Sequence, residues 1–523
     1  MASANRRYAH DHARLRNRGG ASRGIIAGRS CGVIADQVLA GAGDVPEFGA
    51  FIGGRFEAAD HASLAVLDPA TSRLIARIAD VGPAGVDRAV VAGEAAFPAW
   101  RRMPARDRAA LVAELARRIE ANADAIARLD SLDTGNPLAA MRQDLTKGVR
   151  GMGDTAGLAL QVTGTTFPLP GLHYTQREPW GVVGRLITFN HPAMYACARL
   201  ASALVAGNCV VLKPSELAPL ATLAIAELTA GLLPDGVVSV VVGGPATGAA
   251  IVAHPRVLRI SFTGSTATAL RIQAEAAASG RMKTLSFELG GKNPIVVFPD
   301  VERNEVADAI VRGMNFTRVQ GQSCGSTSRL VIHESIADDV LARVTERAAK
   351  IRVGPPADPK TEMGAMITTA ARDRCLHAVA SAVASGARLR GGGRIPADPE
   401  LSRGAYLEPT VVDHVAPGSA LADEELFGPV LAAMTWRSED EAVQLANAGN
   451  YGLTAAIWTQ DIDRAFRTAE QLEAGYVWIN DVETRFPAIP FGGWRDSGVG
   501  LEHGLEEVLS FTRVRSVNLR IRP

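Results

Sequence analysis

The sequence predicts an α/β fold with two parallel-sheet units, and three observations carry that expectation. A strand, turn and helix rhythm repeats from Gly181 to Gly264, a second set of apolar strands follows from Lys283, and 523 residues with 47% hydrophobic content can bury several cores. Such alternation lays helices over the faces of parallel sheets.

In chain order, residues 1–45 are rich in Arg, Gly, Ala and Ser and are set apart as a disordered N-terminal extension. FIGGRF, from Phe51, predicts a short turn-bounded strand pair. The segment DRAALVAELARRIEANADAIARL is apolar at i, i+3, i+4 and i+7 and predicts a helical lead-in. Strands are then expected at GVVGRLITF (181–189), NCVVLKP (208–214), VVSVVVG (237–243) and LRISFTG (258–264). The helices between them run from Pro192 to about Val205, after Ser215, and up to Ala253. KTLSFEL, PIVVF and SRLVIHE are expected to open the second unit, with a helix around 336–350 and a strand-helix series from about Val411 to Trp478. The final SFTRVRSVNLRI alternates apolar and polar residues, the pattern of a half-exposed strand that pairs along an edge.

Composition excludes several functions. Lys+Arg and Asp+Glu both number 55, so no basic field is available to hold a nucleic acid. The longest apolar stretches, around 195–212 and 220–243, are broken by Arg199, Asn208, Glu227 and Asp235, so no membrane span is expected. Five scattered cysteines, an odd number in a long chain, argue against a disulfide framework and for a reducing cytoplasm.

In open parallel sheets ligands bind beyond the carboxyl ends of the strands. Lys213 and Glu216 follow NCVVL there, and Thr263, Gly264 and Ser265 follow LRISF at the start of the next helix. Free amides at that helix start suit a pyrophosphate, and Glu216 can accept hydrogen bonds from a ribose diol. Taken singly, Ser215 and Ser265 are equally helix caps. No early strand carries GxGxxG, so the dinucleotide would be held in another way.

Cys324 lies in GQSCGST, where small polar neighbours let an electrophile approach a thiol, although a glycine-rich structural turn reads the same way. Glu288 closes KTLSFEL beside Gly290-Gly291-Lys292, where a general base belongs. Asn190 ends GVVGRLITF and can place a side-chain amide donor at the mouth of the same crevice.

With Asn190, Lys213, Glu216, Gly264, Ser265, Glu288, Cys324, EELFGPV (424–430) and PFGGWRDSG (490–498) in that order, the sequence resembles the aldehyde dehydrogenase superfamily from about Phe51 onward. The resemblance implies NAD-dependent oxidation of an aldehyde to a carboxylic acid. Cys324 is the implied nucleophile, Asn190 and the Cys324 N–H the oxyanion donors, and Glu288 the base that activates the hydrolytic water. It further implies that Glu425 and Phe427 hold the nicotinamide ribose and ring, and that Lys213 and Glu216 grip the adenosine ribose. A carboxylate at Glu216 would repel a 2′-phosphate, which favours NAD over NADP. Glu502 resembles a second carboxylate of the family near a proton exit path.

The architecture implied is a nucleotide-binding domain (46–160 and 181–287), a catalytic domain (288–490) and an oligomerisation arm (161–180 and 505–523), giving a homodimer or homotetramer. Three positions depart from the family pattern: Val319 stands for an asparagine, Arg199 for a lysine and Arg495 for a lysine. His191, Tyr195 and Ala198 share a helix face and are expected to line the access tunnel, with the loop DVETRFP, including Phe486, as its other wall. Asp481, Glu483 and Arg485 either read a charged substrate tail or are simply solvated. No metal site is expected. Two other readings remain open: transfer of the acyl group to coenzyme A, and a scaffold of this fold without catalysis.

Overall fold

The computed structural model describes residues 32–41, 44–59 and 62–521. Two open sheets organise the chain. The first has eight strands in the order Gly498–Val499, Thr284–Glu288, Arg259–Thr263, Val182–Leu186, Cys209–Lys213, Val238–Val240, Phe51–Ile52 and Arg55–Phe56. Its five central strands are parallel, and antiparallel strands close both edges. Val182–Leu186 and Cys209–Lys213 are buried along their whole length, which is why these segments read as apolar runs rather than as alternating strands. The second sheet runs Arg388–Gly391, Thr410–Asp413, Val430–Trp436, Arg329–His333, Pro294–Val297, Thr454–Trp458 and Tyr476–Ile479. Only its first pair is antiparallel. A third, small antiparallel sheet joins Thr512–Leu519, Leu172–Pro179 and Thr166–Phe167, in continuous register from Thr512 opposite Pro179 to Leu519 opposite Leu172.

The structure corrects three expectations. The extension placed at 1–45 is folded in part: Gly32–Leu39 is a helix that buries Ile34, Ala35 and Val38 against the helices Ala123–Thr134 and Leu220–Thr229. A single apolar face two turns long is a weak signal beside the Arg-rich composition around it. Residues 1–31 lie outside the described residues. KTLSFEL, expected to open the second unit, pairs in parallel with Arg259–Thr263 and belongs to the first sheet. Residues 505–511, assigned to the arm, instead form the helix Gly504–Ser510 and its cap, with Val508 and Phe511 buried in the core of the first sheet. The C-terminal part of the arm sheet is the strand Thr512–Leu519.

That terminal helix is tied in by buried charge. Arg185 Nη2 lies 3.0 Å from Glu507 Oε1, and the Ser202 hydroxyl donates to the same oxygen at 2.8 Å. Arg185 and Arg259 both stack over the Phe511 ring at 4.4 Å. Burial pushes the Glu507 carboxyl up, but Arg185 and Arg199 outweigh burial and hold it below the ordinary range. Its stabilising contribution is therefore complete above the unfolded carboxylate pKa of about 4.3 and fades as the pH falls through the depressed folded value. Glu507→Ala leaves Arg185 buried without its nearest carboxylate, so it is expected to lower unfolding stability by about 3–5 kcal/mol. Urea denaturation at pH 7 measures this, and a midpoint equal to wild type would show that the network carries no net stability.

Candidate active site

The connectivity of the first sheet places the site. From Val182–Leu186 the chain steps outward through Cys209–Lys213 to Val238–Val240, then returns to Arg259–Thr263 on the other flank of Val182–Leu186. A reversal of this kind opens a crevice beyond the carboxyl ends of the two neighbouring strands. Asn190 follows one of them, Gly264 and Ser265 follow the other, and Glu288 ends the next strand along. The second sheet faces this edge with the amino ends of its strands. Gly290 and Gly291 precede Pro294–Val297, Cys324 precedes Arg329–His333, and Glu425 and Phe427 precede Val430–Trp436. The resulting open cleft, about 380 Å³, is lined by Asn190, Tyr195, Gly264, Ser265, Glu288, Cys324, Glu425 and Phe427 among others.

The cysteine loop is shaped by left-handed backbone and close packing. Gln320 and Gly321 have φ of 53° and 70°, and a Cβ on Gly321 would lie 2.3 Å from the Gly428 carbonyl oxygen, so only glycine fits there. Asn293 holds the loop from beneath: its Nδ2 donates to the Cys324 carbonyl at 2.7 Å and to that of Ser326 at 2.9 Å, while its Oδ1 accepts from Thr454 N–H at 3.0 Å. Asn293 directly follows Gly290-Gly291-Lys292, and nothing in the sequence marks it as a loop anchor. The Cys324 thiol is half-buried, and its environment raises its pKa, with Arg485 the chief opposing charge. Among the described residues the Cys324 N–H has no protein acceptor. The Asn190 Nδ2 donates to the Gln322 carbonyl at 2.9 Å, two residues before the cysteine. Asn190 and Cys324 line the same cleft, and both carry N–H donors of the kind that stabilise an oxyanion.

Glu288 is buried, and its Oε1 has no hydrogen-bond partner among the described residues. Burial raises its pKa to about 8, against the opposing pull of Arg199 and Arg485. A carboxyl poised near neutrality and free of partners is suited to accept a proton from water. Glu502 is likewise buried rather than solvated, in an ion pair with Arg199, and Arg185 lies 3.8 Å away. The departures are accommodated: Arg199 supplies that ion pair, Val319 packs among Ala127, Ala140 and Met141, and Arg495 donates to the carbonyls of Asn447 and Gly449.

Ser265, which lines the cleft, caps the helix Thr266–Ala278, its Oγ accepting from Thr268 N–H at 3.3 Å, so the cap reading is right for it. Glu425 leans over the Gly290-Gly291 turn and accepts from Gly291 N–H at 3.0 Å; a Cβ on Gly290 would come within 2.0 Å of its Oε2. Phe427, at φ 53°, packs edge-on against Phe189 with centroids 5.7 Å apart. Lys213 and Glu216 form a 3.7 Å pair and are not themselves in the cleft lining, although Leu217, next to Glu216 in the chain, is. The donor types suit a dinucleotide: a helix start at Ser265 and, in the cleft that holds the thiol, the Glu425 carboxylate and the Phe427 ring, with the Lys213–Glu216 pair next to the lining residue Leu217.

The expected tunnel residues divide. Tyr195 lines the cleft beside Cys324. His191 does not: it is buried, with Nδ1 2.5 Å from Asp144 Oδ2. Helical spacing put it on the right face, but the buried carboxylate one helix away captures the ring. Ala198 is half-buried and outside the cleft lining, and Phe486 is 56% exposed.

A family model described as the aldehyde dehydrogenase family matches residues 56–517. A curated relative, the aldehyde dehydrogenase tropH of Talaromyces stipitatus, is 42% identical over 464 residues, covering 87% of this chain and 90% of its own. The crystal structure of PnpE from Pseudomonas sp. WBC-3 superposes with a TM-score of 0.87 at 38% identity, covering 91% of this chain and 99% of PnpE. Betaine aldehyde dehydrogenase (betB) from Staphylococcus aureus, solved with NAD+, is 32% identical with a TM-score of 0.87, covering 91% of this chain and 95% of its own. PnpE has also been solved with nicotinamide adenine dinucleotide.

Proposed function

The chain belongs to the aldehyde dehydrogenase family, and from that premise we propose how its own residues carry out the family's chemistry. The protein is an NAD-dependent oxidoreductase that converts an aldehyde to a carboxylic acid without passing the acyl group to coenzyme A. The observation that carries the residue assignment is the convergence of Cys324, Asn190 and an unpartnered Glu288 on one cleft between the two sheets.

The Cys324 thiolate adds to the aldehyde carbon, and the oxyanion of the thiohemiacetal is held by the Cys324 N–H and the Asn190 amide. NAD, when bound, is the acceptor of the hydride released from that carbon. Collapse leaves a thioester on Cys324. Glu288 then removes a proton from water, the water attacks the thioester, and the carboxylic acid leaves as the thiol is restored. A base in the same cleft as the thioester favours water over coenzyme A. Glu425 and Phe427 would hold the nicotinamide end of the cofactor, Gly264 and Ser265 the pyrophosphate, and Lys213 with Glu216 the adenosine ribose.

No described helix is long and apolar enough to cross a membrane. The cytoplasm remains the compartment that fits the cysteine usage, and a homodimer or homotetramer fits the arm. Its edge strand Thr512–Leu519 leaves one side unpaired and exposes Val514 and Leu519, a surface that soluble chains ordinarily cover.

NADH formation from a panel of aldehydes, with and without coenzyme A and with NAD and NADP in parallel, tests this reading. Turnover without coenzyme A is expected, and dependence on coenzyme A would overturn it. In the same assay Glu216→Ser is expected to narrow the preference for NAD over NADP by removing a charge that repels the 2′-phosphate. An unchanged ratio would place selectivity elsewhere.

A further inference from the structure

Arg485 stands apart from the other arginines around the cleft. A Cβ on Gly325 would lie 1.9 Å from an Arg485 Nη atom, so its guanidinium rests against the backbone one residue beyond Cys324. It stacks over the Phe491 ring at 4.2 Å, and that ring packs in turn on Tyr476, with centroids 5.8 Å apart. No hydrogen bond or ion pair of Arg485 is found among the described residues. Its neighbour Arg318 differs in both respects, pairing with Asp144 and approaching Glu483 at 3.9 Å. Lys147 and Arg312 complete the group: with Arg318 and Arg485 they make four cations acting on Glu483, and Arg485 acts on Glu288 as well.

A guanidinium fixed by stacking keeps its planar fork of N–H donors free, and such a fork matches a carboxylate. From Arg485 against Gly325, together with that surplus of positive charge, the geometry points to an aldehyde bearing a carboxylate a short spacer away as the substrate class of this site. The carbonyl carbon meets Cys324 while the distal carboxylate is received by Arg485. Gly325 is part of the same device, since any side chain there would displace the guanidinium. A cationic aldehyde would be repelled, so this chain should differ in substrate from a relative named for betaine aldehyde. The inference rests on the aldehyde-oxidising reading above and adds the substrate class to it.

The test compares butanal with succinic semialdehyde, which have the same carbon count and differ by the carboxylate, in wild type, Arg485→Gln and Arg485→Lys. Wild type is expected to favour the carboxylated aldehyde in kcat/KM. Arg485→Gln should reduce that ratio by about 10- to 100-fold, mainly through KM, as expected for loss of a charge-assisted pair, and Arg485→Lys should restore part of it. Equal losses on both aldehydes, together with a shifted pH profile for alkylation of Cys324, would show that Arg485 serves only the thiol and would overturn the inference. Wild-type preference for butanal would overturn it as well. Absence of NADH from every aldehyde would instead bring down the underlying reading, and the inference with it.

Discussion

Cys324→Ala is expected to abolish NADH formation and ester hydrolysis together. Both reactions begin with attack by the same thiolate, and alanine leaves no nucleophile in the cleft. The other free cysteines described, Cys197, Cys209 and Cys375, are buried in the cores, where burial raises each thiol pKa to about 12, 12 and 11. None can substitute. Stopped-flow NADH absorbance and hydrolysis of a nitrophenyl ester measure the two activities, and a variant that still oxidises aldehydes would refute the nucleophile assignment. Folding should survive, because the loop is held by the Asn293 side chain through backbone carbonyls rather than by the thiol.

Glu288→Gln separates the two halves of the reaction. A burst of about one NADH per site is expected to remain, since hydride release precedes hydrolysis, while steady-state turnover falls about 10²- to 10⁴-fold for want of a base. The wild-type pH profile supplies a second readout. A carboxyl whose pKa is raised to about 8 is protonated and inactive as a base at low pH, so deacylation should climb as the pH rises through about 8. The glutamine variant should lose that limb. Loss of the burst itself would mean that Glu288 acts before hydride transfer.

Much of the site was legible because strand ends announce themselves in sequence. An apolar run that stops at Asn190, Lys213, Gly264 or Glu288 must deliver the next residue to the sheet's edge, and a small-residue loop around Cys324 marks a close approach. His191 was misplaced because spacing gives a helix face but not the neighbour on it: Asp144, 47 residues earlier, takes its ring. Asn293 and Arg199 were invisible as functional residues for the same reason. Their partners lie far away in the chain, and periodicity says nothing about which loop crosses which.

By itself the sequence determined the two parallel-sheet units and the family, and its short motifs singled out Cys324, Glu288 and Asn190, the residues proposed as nucleophile, base and oxyanion donor. Only the tertiary structure decided that KTLSFEL joins the first sheet, that the helix Gly504–Ser510 is locked to Arg185, and that the carboxyl edge of one sheet faces the amino edge of the other. It also decided the electrostatics. The charge state of Glu288 is set by its burial and by Arg199 and Arg485, which lie 89 and 197 residues away in sequence. Burial and long-range Coulomb contacts depend on distance in space, and that distance is written nowhere along the chain.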